Sequence, residues 1–466
     1  MTGQARTIGE LRAVGYEVVP VREEMRRCLL GKLARGERVL PGIIGYDATV
    51  IPEIENAVLA GHHMVFLGER GQGKSRVMRG LLSLLDSSVP AIEGCEINDN
   101  PYAPICKPCR RRVAEEGDAV TITWVGRERR YGEKLATPDV SMADLIGEID
   151  PIKVAEGRYL ADEETIHYGL VPRTHRGIFA INELPDLTEK VQVALFNLME
   201  ERDVQIKGYK IRLPLDVLVV ASANPEDYTS RGRIITPLKD RFDVQIRTHY
   251  PTSIEDEMAI MEQEVPPRER LDRELRVPGF VKELLSQFTM EARASSEINQ
   301  ASGVSVRVTI NNYESVISNA EKRAVRCGEC EIVPRMTDLH AVLASTAGKI
   351  ELEYSGEEKK ESDLIDRLLN GAVLKVFDRA IKVESLAKVL EYFEGGGGVE
   401  VSDQMPAADY LEGIKGIPGL REAIVSIGPF ESPALMAAAS EFILEGLHVH
   451  QKLNKDRDGG RYTYKS

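Results

Sequence analysis

The chain has 466 residues, 42% of them apolar and 29% charged, the balance of a soluble globular protein with room for two or three domains. Its 60 basic and 74 acidic side chains leave a formal charge of −14, which excludes a broad nucleic-acid surface as the main business, because such binding runs on neutralising phosphates. The sequence has no apolar run long enough for a membrane helix and no apolar centre for a secretion signal near Met1, and six cysteines in so long a chain make no disulfide framework; a cytoplasmic protein is expected.

Residues 1–40 read as an N-terminal helical segment, with Pro20 at the start of a stretch rich in Arg, Glu, Leu and Met. Pro41-Gly42 ends it, and Ile43-Ile44-Gly45-Tyr46-Asp47 follows. Over 41–250 apolar runs at 64–67, 120–125, 178–181, 217–221 and 244–246 alternate with helical patterns at 52–60, 74–85 and 189–200. That alternation predicts an α/β domain with a parallel sheet and crossover helices. Within it, alternating residues over 204–214 predict a β-hairpin turning at Lys207-Gly208. After Pro251 the strand signal fades, and helical patterns at 253–264, 281–293, 308–326 and 338–347 predict a helical lid over 251–350. A helical extension is expected over 351–394. The run Gly395 to Gly398 reads as a flexible linker into a small C-terminal region, 395–466. There the clearest helix covers 433–447, with Ser432 as its cap and Pro433 in its first turn, and Asp458-Gly459-Gly460 is placed to close a terminal hairpin.

The chemistry starts at Gly68-Glu69-Arg70-Gly71-Gln72-Gly73-Lys74-Ser75, which has the spacing G-x-x-x-x-G-K-S. It follows the apolar run at 64–67 and precedes a helical pattern, the setting in which this string is a phosphate-binding loop. Gly68, Gly71 and Gly73 let backbone N–H groups turn onto a triphosphate, Lys74 faces its β- and γ-oxygens, and the Ser75 hydroxyl is positioned as an Mg²⁺ ligand. The apolar strand Gly177–Asn182 then ends at Asn182-Glu183. In this fold the strand beside the loop ends in Asp-Glu, the Asp serving the metal shell and the Glu polarising the attacking water. Here Glu183 is in place, while Asn182 brings an amide where the charge is usual. The strand at 217–221 leads to Asn224-Pro225, and Asn224 is a candidate contact to the γ-phosphate or the water. Arg241, before the last strand, is the favoured candidate for an arginine finger acting on a neighbouring subunit, with Arg231 and Arg233 as rivals; the plainer alternative is a local Asp240-Arg241 ion pair. Arg307 opens a lid helix and is positioned to follow the γ-phosphate as the lid closes.

Cys95, Cys106 and Cys109 form a C-x10-C-x2-C pattern, and Cys106-Lys107-Pro108-Cys109 has zinc-knuckle spacing. A Zn²⁺ site and free thiols both remain open, since no fourth ligand stands nearby and His167 or His175 would have to supply it. Cys327 and Cys330 make a second C-x-x-C. The arginines at 110–112 and 127–130 read as solvated faces or subunit contacts.

Together these motifs resemble an AAA+ ATPase of the clade holding the magnesium-chelatase small ATPase subunit and the MoxR ATPases. Gly42-Ile43-Ile44-Gly45 resembles the adenine-side motif, so Ile44 and Gly45 are implied contacts to the base. The stretch from Gly169 to Gly177, the segment 199–204 with its hairpin, Asn224-Pro225-Glu226, Leu238-Lys239-Asp240-Arg241-Phe242 and Ser305-Val306-Arg307 resemble further elements of that clade over residues 25–350. Asn182 departs from the pattern. The resemblance implies ATP and Mg²⁺ as ligands, a hexameric ring, and a protein partner with a von Willebrand factor A domain that the ring remodels, as a chelatase or a chaperone. Two other classes compete. One is a nucleotide-gated scaffold with little turnover, because of Asn182; the other is a transcription activator, although the sequence has neither the Gly-Ala-Phe-Thr-Gly-Ala loop nor a helix-turn-helix signal.

Overall fold

The computed structural model describes residues 5–466 except 151, 153–162, 202–212, 226–232, 267, 270–271, 300–301, 354–357, 403 and 459–460. The chain divides into two compact units, Met1–His249 and Tyr250–Ser466.

In the first unit, α1 (Ile8–Ala13), α2 (Val21–Ala34) and α3 (Val50–Ala60) precede β1 (Met64–Leu67) and α4 (Lys74–Gly80). Then come β2 (Ser88–Ile92), α5 (Lys107–Glu116), β3 (Ile122–Gly126), β4 (Tyr131–Leu135), β5 (Gly147–Ile149), β6 (Ile166–Tyr168), β7 (Gly177–Asn182), β8 (Val217–Ala223) and β9 (Val244–Arg247). Five strands form one parallel sheet in the order β4-β7-β8-β1-β9. Every residue of β7 and β8 is buried, which is why their sequences run apolar without a break: in a sheet covered on both sides, neither face can be polar. Alternate side chains divide between two cores. Met64, Phe66, Ile178, Ala180, Leu218 and Val220 pack with α2, α3 and α4, whereas Val65, Phe179, Ile181, Val219 and Ala221 pack with the helix Glu189–Glu201.

Two expectations change. The apolar run at 120–125 is not in the parallel sheet; β3 pairs antiparallel with β2 in a separate ribbon. One sheet edge is β4 instead, whose Tyr-Gly-Glu-Lys-Leu sequence gives no strand signal because an edge strand has one neighbour and needs no continuous apolar run. Arg130, read as solvated, is 1% exposed and makes a two-pronged pair with Glu24 of α2 at 2.8 and 2.6 Å, while its Nε donates to the Arg176 carbonyl at 2.7 Å. Removing either partner would strand a buried charge, at a cost of about 3–5 kcal/mol. Most of the expected 204–214 hairpin, with its turn, and Arg231 lie outside the described residues.

The second unit is helical around a main core that draws on Met261, Phe288, Val316, Phe377, Phe442 and Tyr464. Its longer helices are Ile254–Glu264, Gly279–Ala294, Val306–Cys327, Glu358–Ala380 and Pro433–Val449. The strands Gly398–Ser402, Asn454–Asp458 and Arg461–Lys465 form an antiparallel sheet with the last in the middle. The glycine run is therefore not a linker between bodies, since residues on both sides share the core. The glycines answer local geometry. Gly396 sits at φ 90°, and a Cβ on Gly397 would lie 2.3 Å from the Tyr392 ring, so a tight turn feeds Gly398 into its strand. Among the described residues no helix is long and apolar enough to cross a membrane.

Candidate functional site

The loop at 68–73 leaves the C-terminal end of β1, and each of its glycines has a steric reason. A Cβ on Gly68 would fall 1.9 Å from Thr248 Oγ1 and 2.1 Å from Gln72 Oε1. Gly71 and Gly73 hold φ angles of 76° and 75°, open to glycine at little cost. Gln72 braces the loop, its Oε1 accepting from Glu69 N at 3.1 Å and Thr248 Oγ1 at 2.7 Å. The segment before α3 is tied on through Tyr46, whose hydroxyl lies 2.7 Å from the Gln72 carbonyl and 2.8 Å from that of His249. Burial pushes that phenol up to about 12, so it stays a neutral donor. Ile44 and Gly45 directly precede it, Ile44 half-buried and Gly45 at φ 79°.

Lys74 is 6% exposed, and its ammonium donates to Gly68 O at 2.5 Å, Glu69 O at 2.8 Å and Asn224 Oδ1 at 2.7 Å. The other end of the Asn224 amide donates to Glu183 Oε2 at 3.0 Å. Alongside, the Ser75 hydroxyl donates to Asn182 Oδ1 at 2.7 Å, and Asn182 Nδ2 donates to Glu133 Oε1 at 2.6 Å. Sheet register produces this row. Leu67 lies opposite Ala223, Ile181 opposite Ala221, and Asn182 opposite Leu135, so the strand ends arrive side by side. Glu183 takes a left-handed φ of 56°, and its N–H donates to Ser222 Oγ at 3.2 Å.

Glu133 is the residue that motif reading misses. It comes from β4, where no pattern marks it, and only the pairing of β4 with β7 reveals it. Arg79 grips its carboxylate at 2.7 and 2.8 Å. Burial pushes the Glu133 carboxyl up, but Arg79 and the Asn182 amide outweigh that and hold it below the usual carboxylate range. A negative charge thus stands one hydrogen bond behind Asn182.

The remaining candidates belong to other elements. Arg241 ends the helix Thr236–Arg241, pairs with Glu200 at 2.5 Å and lies over the Phe196 ring at 5.4 Å, so the acidic partner in this unit is Glu200. Arg233 is exposed. Arg307 belongs to the second unit, exposed in the first turn of Val306–Cys327, where its N–H donates to Ser305 Oγ at 3.1 Å.

Cys95, Cys106 and Cys109 do converge, and Asp99 joins them; the four ligand atoms lie within 4.8 Å of one another. The expected histidines are not the fourth partner. His175 is buried with Nδ1 accepting from Asp216 N at 3.0 Å, burial holding it neutral with a pKa of about 3, and His167 is exposed on β6. Cys327 and Cys330 belong to the second unit.

Against known proteins, the sigma-54 interaction domain matches residues 154–244. The magnesium-chelatase 38 kDa subunit of Acidiphilium rubrum is 26% identical over 309 residues, 64% of this chain and 79% of that one. Its counterpart from Cereibacter sphaeroides is 27% identical over 217 residues, 46% of this chain and 58% of that one, so the match spans little more than half of this second relative. Among solved structures, a magnesium-chelatase BchI–BchD complex seen by cryo-EM is similar with 18% identity and a TM-score of 0.36, over 69% of this chain and 97% of that one.

Proposed function

We propose that this chain, an AAA+ protein related to the magnesium-chelatase small subunits, binds ATP at its 68–75 loop and hydrolyses it to drive the remodelling of a partner protein. The observation that carries this reading is the chain Lys74–Asn224–Glu183, in which one amide joins the phosphate-facing cation to the candidate base. A triphosphate entering the loop competes for the Lys74 ammonium, now held by two loop carbonyls and Asn224. Once the Lys74 ammonium no longer donates to Asn224 Oδ1, the amide can turn toward the γ-phosphate while Glu183 accepts the proton of the attacking water. The residues suit a divalent cation: the Ser75 hydroxyl would hold it, with Asn182 Oδ1 beside it and the Glu133 charge behind. When bound, Mg²⁺ neutralises charge on the phosphate oxygens. Arg241 acts from the adjacent subunit of a ring, taken as hexameric, and Arg307 moves with the lid. Ile44 and Gly45 contact the base. The partner is one with a von Willebrand factor A domain, whether the ring serves a chelatase or acts as a MoxR-like chaperone in the cytoplasm.

Phosphate release by the wild type, Glu183→Gln and Arg241→Ala tests this. Both variants should bind ATP and turn over at least about a hundredfold more slowly, and mixing them should restore part of the rate if the guanidinium acts across subunits. Equal rates in all three would refute it. Asn182 supports a second reading, a nucleotide-gated scaffold, and a wild type that binds ATP without turnover would decide for that.

A further inference from the structure

We propose that Cys95, Asp99, Cys106 and Cys109 hold a structural zinc ion that pins the excursion between β2 and β3. The excursion, residues 93–121, leaves one strand of a two-stranded ribbon and returns on the other, with α5 as its main regular element. Tetrahedral zinc with Zn–S bonds of about 2.3 Å sets its ligand atoms roughly 3.8 Å apart. Four atoms already within 4.8 Å of one another need close by only about an ångström to meet that.

The backbone is shaped around the cluster. Asn98 takes a left-handed φ of 55°, turning the chain so that Asp99 N donates to Cys95 Sγ at 3.4 Å. The Asp99 oxygens accept from Ile105 N at 3.0 Å and Cys106 N at 3.1 Å, which aims the carboxylate as outer hydrogen bonds aim metal ligands. Cys106 directly precedes α5, and Cys109 follows three residues on, which puts both thiols on one side of the helix start. Asp99, Cys106 and Cys109 are 0%, 4% and 3% exposed, among the apolar side chains Ile92, Ile97 and Val120. Three thiols with one carboxylate select a borderline-soft ion over Mg²⁺ or Ca²⁺, and four protein ligands fill a tetrahedral shell and leave no position for a reacting water. The role is therefore structural. The cluster shares no residue with the phosphate-loop row, so it stands or falls apart from the ATPase reading.

The test uses the full chain purified under reducing conditions without chelator. Elemental analysis should find about one zinc per chain, and cobalt replacing it should give the thiolate-to-metal absorption of a tetrahedral site rich in sulfur. Cys106→Ser/Cys109→Ser should lose the metal, while Cys327→Ser/Cys330→Ser should keep it. If the first variant fails to fold, cobalt titration of the metal-stripped wild type decides alone. Reduced wild type that takes up neither zinc nor cobalt overturns the proposal. So does zinc that survives in Cys106→Ser/Cys109→Ser and leaves with the Cys327 and Cys330 thiols.

Discussion

At the phosphate loop the polar side chains lean on protein partners: Lys74 on two carbonyls and Asn224, Asn224 on Glu183, Ser75 on Asn182, and Asn182 on Glu133. At the cysteine cluster, residues 95–109 of the same unit, four side chains face one another, and their outside support is backbone N–H. A ligand at the first must take hydrogen bonds away from the protein, so its arrival rearranges side chains and its departure restores them. A cation at the second displaces little and adds bonds. The first arrangement suits a ligand that comes and goes, the second one that stays and adds its binding energy to the fold.

The largest effect that would separate the two is expected from Lys74→Ala. It should weaken ATP binding by about a hundredfold or more, read by calorimetric titration, because a buried charged donor to phosphate is lost. Zinc content should not move. Retained tight binding would break the phosphate-loop half of the comparison, and metal lost along with nucleotide would show that the clusters are one site.

Stripping the metal should do the reverse. Chelation, or Asp99→Asn, should lower the melting temperature by roughly 5–10 °C, the shift for a loss of about 2–3 kcal/mol in a unit of this size. ATP affinity of the protein still folded should stay within about twofold. Thermal scans with and without chelator, each paired with a nucleotide titration, would read both arms. A large loss of ATP affinity at unchanged melting temperature would put the cluster inside the nucleotide site.

What could be read ahead of the structure follows from how local each signal is. The strands β1, β7 and β8 are legible because burial on both faces forces continuous apolar runs, and the phosphate loop because a tight turn against phosphate demands glycine at fixed spacing. Asp99 was not legible as a partner of the cysteines, since one Asp in a loop has no period and its role depends on a turn at Asn98. Glu133 stayed hidden for the same kind of reason: which residue faces Asn182 is a matter of register between strands more than forty residues apart. The glycine run misled in the other direction. Four glycines look like flexibility, yet a ring 2.3 Å from a missing Cβ is a demand for close packing.

The smallest and sharpest effect concerns where the charge beside the metal position resides. If Glu133 supplies through Asn182 what an aspartate supplies directly, Glu133→Gln keeps an acceptor for Asn182 Nδ2 and removes only the charge. Turnover should then fall by about tenfold, worth about 1.4 kcal/mol of barrier, with ATP affinity changed little. Asn182→Asp alone should bring no gain. It would set a second carboxylate where a 2.6 Å hydrogen bond now stands, and two carboxylates that close force one to keep its proton. Combining Asn182→Asp with Glu133→Gln exchanges the two groups and restores one charge with one amide, so the double variant should recover most of what Glu133→Gln loses. Steady-state rates of the four proteins form a cycle whose coupling term measures the shared charge. Additive losses would mean that Glu133 serves only to anchor Arg79, and the phosphate loop would then work without a carboxylate beside Ser75.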